Sequence, residues 1–241
     1  MKKVFIVTSV IIFFSGFPCY AATFDNIMKG LGAPEPTKQG PNDATTVKGL
    51  KDALSVGTKN AVSSVSKVNG YFGNPAIKIL LPDNLQKVAA VLGKLGYQKQ
   101  VDDFVLSMNR AAEKAAPKAA TIFTNAVKEM SFDDARKILT GGDTAATEYF
   151  KSKTHQKLYD EFKPDVSASM NKVGVTHAYK EMMGKYTSAV PFVKAESFDL
   201  DHYVTNKSLD GLFTMVGQEE KKIRTNPAAR VTDALKKVFG K

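Results

Sequence analysis

From Val47 almost to the C-terminus, apolar residues return every three or four positions, and no other feature constrains the fold as strongly. That spacing puts them on one face of a helix, whereas a half-buried strand would show strict alternation. One stripe comprises Val47, Leu50, Leu54, Gly57, Ala61, Val65 and Val68; others are Leu85, Val88, Leu92 and Leu95, then Val101, Phe104, Val105, Met108, Ala112 and Ala115. Further on come Ala119, Ile122, Phe123, Ala126, Val127 and Met130, then Leu209, Leu212, Phe213, Val216 and Ile223. The sequence therefore predicts an all-α fold, a compact multi-helix domain of about ten amphipathic helices with at most one short extended segment. No repeat of fixed period suggests a solenoid.

Start and stop signals divide this pattern. Asp83 is a capping residue for its helix, which Gly96 ends, and Pro117 starts or kinks the continuation of the next. Ser131 caps a short helix with Asp134 in its first turn, and Gly141-Gly142 closes it. Pro164, Gly174 and Pro191 punctuate the middle of the chain, a new helix begins at Thr205 or Asn206, and Asn226-Pro227 opens the last one. "NPAIKILLP" (Asn74 to Pro82) carries proline near each end of a β-rich interior, so it is extended, either a lone strand or a strap across helices. A row of small residues, Gly49, Ala53, Gly57 and Ala61, lets another backbone approach closely, inside the domain or as a self-association seam.

The N-terminus has its own logic. Lys2 and Lys3 precede an apolar run of fourteen residues, Val4 to Phe17, and Cys19-Tyr20-Ala21 supplies a cleavage site. Residues 1–21 have the layout of a secretory signal peptide, too short to span a bilayer. Residues 22–43 form a flexible Gly/Pro-rich lead-in, and 44–241 the single helical domain. Cleavage removes the only cysteine and lowers the net charge from +10 to +8, leaving a basic chain for the periplasm whose core must hold without disulfides. Such a charge suits anionic envelope ligands as readily as it suits plain solvation.

Familiar chemistries fail their spacing tests. In "SFDLDHYVTNKSLDGLF", a calcium loop starting at Asp199 would put Tyr203 fifth and Val204 where the turn glycine belongs. The same residues make sense as a helix start, with Asp199 as cap and Asp201 in the first turn. His155, His177 and His202 lack partners at zinc-ligand spacing, so no metal site is expected. Ser64-Val65-Ser66-Lys67 and Ser169-Met170-Asn171 match two elements of penicillin-recognising enzymes, but the third is missing. The pairs Asp102-Asp103, Asp133-Asp134 and Glu219-Glu220 point about 100° apart on a helix and do not converge. No glycine loop cradles a phosphate or cofactor, and the scattered lysines do not favour nucleic acid.

One polar cluster remains, Asn109, Arg110 and Glu113 in "SMNRAAEKAAP", at spacings that let Arg110 and Glu113 pair. Partly buried, it would orient a polar ligand head or fix a helix contact. With Arg224 and Arg230, which flank the Asn226-Pro227 helix start, these residues form the candidate ligand-binding set; no catalytic set emerges.

"YFGNPAIKILLP", "VDDFVLSMNRAAEKAAP", "DLDHYVTNKSLDGLF" and "EEKKIRTNPAARVTDALKKVFG" resemble the exported bacterial proteins of domain-of-unknown-function family 4197, from about Thr45 to Lys241. The resemblance implies a mostly helical envelope protein and brings no activity, cofactor or catalytic residues. The functional expectation is a periplasmic, non-catalytic binding or interaction module, for an anionic or lipid-like envelope ligand or a protein partner, with at most peripheral membrane contact. The rival is an envelope hydrolase drawing on Glu113, Asp199 and His202 from distant helices. The C-terminal helix, with Val231, Leu235, Val238 and Phe239 on one side, is expected to dock on its own domain rather than on an anionic membrane.

Overall fold

The row of small residues on the first helix explains how the ends of the fold meet. The structure, a computed structural model, describes residues 43–190 and 199–226. The expected signal peptide, the lead-in before Asp43 and the C-terminal helix with Arg230 lie outside the described residues. Helix α1 spans Asp43–Val65, and its row Gly49, Ala53, Gly57 and Ala61 is buried. A Cβ on Gly57 would lie 3.3 Å from Ile223 Cδ1 and 3.6 Å from Glu219 Cβ, both on the last described helix, Leu200–Thr225. Ala53 packs on Ile223 beside it. The small residues thus serve internal packing, where a larger side chain would hold the two backbones apart.

Between these helices the chain forms α2 (Asp83–Lys94), α3 (Gln98–Ala115), a 3-10 turn over Ala116–Lys118, α4 (Ala119–Glu129), α5 (Phe132–Thr140), α6 (Ala145–Val173) and α7 (Val175–Ala189); Leu200–Thr225 is α8. Eight α-helices are thus described, α6 and α7 being separated by Gly174 alone; no strand occurs among the described residues. The count falls below about ten: the helix expected from Asn226-Pro227 lies outside the described residues, and within them two expected boundaries are absent. Pro164 lies inside α6 instead of ending it, and α8 runs through Thr205 and Asn206 without a new start.

The caps otherwise follow the sequence. Ser131 and Asp134 form a reciprocal capping box on α5. The Asp199 side chain accepts the His202 N–H at the start of α8. Gly174, with φ +83°, ends α6 in the left-handed conformation that glycine adopts without strain. Asp83 is an exception: Pro82 holds the cap position of α2, and Asp83, the first helical residue, accepts instead from the Gln86 amide.

Helices α3, α6 and α8 pack together at the centre, α1 covers α4, α5 and α8, and α2 and α7 cover α3. Phe123 of α4 meets Phe150 of α6 and Phe213 of α8 edge-on, with ring centroids 5.3 and 6.1 Å apart. Residues 66–82 contain turns and irregular chain but no strand; the first half of "NPAIKILLP", expected to be extended, is a turn in which the Ile77 and Lys78 N–H groups donate to Asn74 O, and the stretch serves as a strap. It buries Ile77 and Ile79, while Tyr71, just ahead of it, is fully buried and donates its hydroxyl to Ser208 O of α8 at 2.6 Å. Gly211 leaves room for that ring; a Cβ there would come within 2.6 Å of Tyr71 Cε1.

Candidate functional site

The polar cluster predicted on α3 turns inward onto the chain's own backbone. Asn109 is fully buried, accepts the Ile79 N–H (2.9 Å) and donates to Ile79 O and Val105 O (2.8 Å each). Its amide thus supplies the partners that a neighbouring strand would otherwise give the strap. Glu113 Oε1 accepts the N–H groups of Tyr71 (3.1 Å) and Phe72 (3.2 Å), while Oε2 pairs with Arg110. Arg110 also donates to Asn69 Oδ1 at 2.8 Å, anchoring a residue whose φ of 65° marks the left-handed turn into this segment. Burial, and secondarily the Glu113 charge, push the Tyr71 hydroxyl pKa far up, so it remains a neutral donor.

Arg224 belongs to a second clamp that the sequence did not reveal in full. Its partner Glu220 is buried; Oε1 accepts the Ala146 N–H, and Oε2 accepts both the N–H and the hydroxyl of Thr147. Arg224 adds Nε and Nη2 to Oε1 and reaches Ile138 O at 3.0 Å. Five donors therefore meet a carboxylate with about four lone-pair sites, which leaves no room for a ligand. Glu220 caps α6 from another helix, where its negative charge also suits the positive end of the dipole. A signal was present: Glu220 continues the apolar stripe Leu212, Val216, Ile223, and an arginine follows four residues later.

Of the rival hydrolase's residues, Asp199 and His202 sit together at the start of α8, while Glu113 is engaged elsewhere. Asp199 accepts the His202 N–H, and the His202 ring sits between the Tyr159 hydroxyl, 2.7 Å from Nδ1, and the Asn206 amide, 3.1 Å from Nε2. The Ser167 hydroxyl donates to Asp201. Glu113 spends its oxygens on the chain ahead of the strap, as above. Among the described residues, no three His, Cys, Asp or Glu side chains gather in a way that could hold a metal, and no helix is long and apolar enough to cross a membrane.

Open space edged by charged side chains lies elsewhere, in a groove where α4, α5 and the first turns of α6 diverge. Two adjoining cavities of about 180 and 410 Å³ share Asp134, Tyr149 and Lys153. The smaller adds Asn125 and Glu129 of α4 and Lys157 of α6; the larger adds Lys137 of α5 and Glu148 and Ser152 of α6. Tyr149 holds the middle, donating its hydroxyl to Ala126 O at 3.0 Å with the Lys153 ammonium 6.0 Å from its ring centre. Burial first, then the Asp134 and Glu129 charges, raise its pKa. The Ser131 hydroxyl and N–H hold Asp134 below the usual carboxylate range, and the charges of Lys153 and Lys137 add to this. Among the described residues none of these three lysines forms an ion pair with Glu129, Asp134 or Glu148.

No curated protein and no solved structure matches this chain. The family model described as "Protein of unknown function (DUF4197)" matches residues 40–240, and the chain belongs to that family.

Proposed function

We propose that this chain is an exported binding or interaction module of the cell envelope, without catalytic activity, and that the groove between α4, α5 and α6 is its ligand surface. The observation that carries this reading is the contrast in how charge is used. Glu113 and Glu220 are filled by donors from the chain itself, whereas the groove presents ammonium and carboxylate groups that do not pair with each other. Export rests on residues 1–21, with their basic start, apolar run and small-residue cleavage site. Weighing against the hydrolase reading, Glu113 and His202 each sit in a separate hydrogen-bond set, away from a shared substrate position.

The test is to express the full chain, purify the product from the periplasmic fraction, and examine it by native mass spectrometry and lipid extraction. A chain beginning at Ala22 that carries a bound molecule, with the Lys153→Met variant losing it, is the expected result. Product confined to the cytoplasm with its first 21 residues intact overturns export. A product that carries nothing yet turns over an envelope substrate overturns the binding reading.

A further inference from the structure

The two most exposed large apolar side chains among the described residues, Val68 (76%) and Leu80 (61%), both belong to the irregular stretch 66–82. A little over one turn of α3 pins that stretch from beneath: Arg110 donates to Asn69, Glu113 accepts the Tyr71 and Phe72 N–H groups, and Asn109 holds Ile79. Tyr71 and Ile79 are buried, so the residues beside them form the outer side of the patch. Val68 lies in a turn closed by the Gly70 N–H on Lys67 O, and Leu80 directly follows Ile79. Between them is Phe72, with the Lys78 ammonium 4.2 Å and the Arg110 guanidinium carbon 5.9 Å from its ring centre.

Charge on this face is lopsided. Arg110 is matched by Glu113, and Lys207, which lines a cleft with Ile77, Lys78 and Ile79, is matched by Asp210 at 3.7 Å. Lys67, Lys78 and Lys114 have no carboxylate partner among the described residues. Lys114 is exposed and stands one turn beyond Arg110 on α3. Asp83, whose charge reaches the Tyr203 hydroxyl bonded to Leu80 O, opposes them from the margin. Apolar tips separated by ammonium groups do not make the continuous, charge-depleted centre of a protein interface. They suit a phospholipid surface, where an apolar side chain enters between headgroups and a lysine lays its stem along them with its ammonium at the phosphate. We propose that this face docks peripherally on an anionic lipid bilayer, with Val68 and Leu80 entering it and Lys67, Lys78 and Lys114 meeting its phosphates. The bonds from α3 already order the segment, so little freedom is lost on binding. The face shares no residue with the groove between α4, α5 and α6, so the two readings are tested separately.

The experiment expresses the full chain and sediments the purified protein with vesicles of phosphatidylglycerol and phosphatidylcholine in equal parts, against phosphatidylcholine alone. Wild type should sediment with the anionic vesicles only, and less as salt rises. Val68→Ser and Leu80→Ser should each weaken binding about tenfold, as removal of one inserted apolar side chain does. Lys67→Gln and Lys114→Gln should each weaken it about fivefold, the worth of one basic residue at such a surface. Lys48→Gln, also exposed but roughly 25 Å down α1 from the end that leads into this stretch, should bind as wild type does. All five positions are at the surface, so urea unfolding midpoints should hold. Serine variants that bind as tightly as wild type overturn the proposal. Equal weakening by Lys48→Gln reduces the effect to net charge and overturns it too. Binding lost in Phe239→Ala, with both serine variants unchanged, moves the contact to the C-terminal segment and removes it from this face. Absence of sedimentation on anionic vesicles, or equal sedimentation on neutral ones, overturns the lipid assignment outright.

Discussion

Glu113 and Glu220 do the same chemistry in two parts of the molecule, with different consequences. Each is a buried glutamate that accepts two successive backbone N–H groups and pairs with an arginine on its own helix. Glu113 holds a stretch outside regular structure, Tyr71 and Phe72. Glu220 holds the first turn of α6, whose later amides are bonded within the helix. Their arginines differ too: the Arg110 side chain is 26% exposed and can relax into water, whereas Arg224 is 13% exposed and deeper. The lesson is that energetic cost and structural reach need not follow the same clamp. Removing Glu220 strands more buried donors; removing Glu113 frees two N–H groups of irregular chain that the Tyr71 hydroxyl, Asn109 and Arg110 still tie at other points.

The sharpest way to break this comparison is Glu220→Ala. It leaves two N–H groups and the Thr147 hydroxyl without their acceptor and takes the carboxylate from a mostly buried guanidinium that keeps Ile138 O, and should cost about 4 kcal/mol, as loss of one partner from a buried pair does. Urea unfolding measures it, and the transition should stay cooperative because α6 sits at the centre of the core. A loss under about 1 kcal/mol would mean that water replaces the carboxylate freely and the clamp adds little.

Glu113→Ala should cost less in global stability, about 3 kcal/mol, because Arg110 retains Asn69 and reaches solvent. Its effect should be concentrated. Native-state hydrogen exchange should show lost protection at Tyr71 and Phe72, with Ile79, held by Asn109, and amides in the middle of α6 keeping theirs. Uniform loss across both regions would erase the distinction between a clamp on irregular chain and a clamp on a helix.

These clamps also mark where the sequence was legible and where it stopped. Asn109, Arg110 and Glu113 stand out as a cluster from spacing alone, because helical geometry is local. What they grip was hidden, since it depends on how a strap some 30 to 40 residues earlier folds back. Glu219-Glu220 reads in the sequence as a diverging pair, and the two do diverge, with Glu219 meeting Asn60 and Lys222 and Glu220 meeting α6. Divergence rules out a dyad but says nothing about each carboxylate alone. The caps at Ser131 and Asp199 were readable because a cap and its N–H lie three residues apart. The breaks expected at Pro164 and Thr205 failed because packing of α6 and α8 over many turns outweighs one lost backbone bond. The groove arises where three helices diverge, and no local spacing encodes that.

Asp134 offers the surface counterpart of both clamps and the smallest expected effect. Its carboxylate accepts the N–H and hydroxyl of Ser131, while the Ser131 hydroxyl accepts the Asp134 N–H. Water can replace these bonds, so Ser131→Ala should cost only about 1 kcal/mol at neutral pH, the usual worth of an N-cap. The cost should depend on pH with a definite sign. Ser131 holds the folded-state Asp134 carboxyl below the usual range, so the ionised form is favoured by folding and its contribution is present above about pH 4. As the pH falls through the lowered folded value the carboxyl takes up a proton and that contribution disappears. The stability gap between wild type and Ser131→Ala, measured by urea unfolding at successive pH values, should therefore narrow on the acid side of pH ~4. A gap that stays constant down to acid pH would assign the whole cap to the bond from Asp134 N–H to the serine hydroxyl, and would leave buried carboxylates as the ones whose charge matters to this fold.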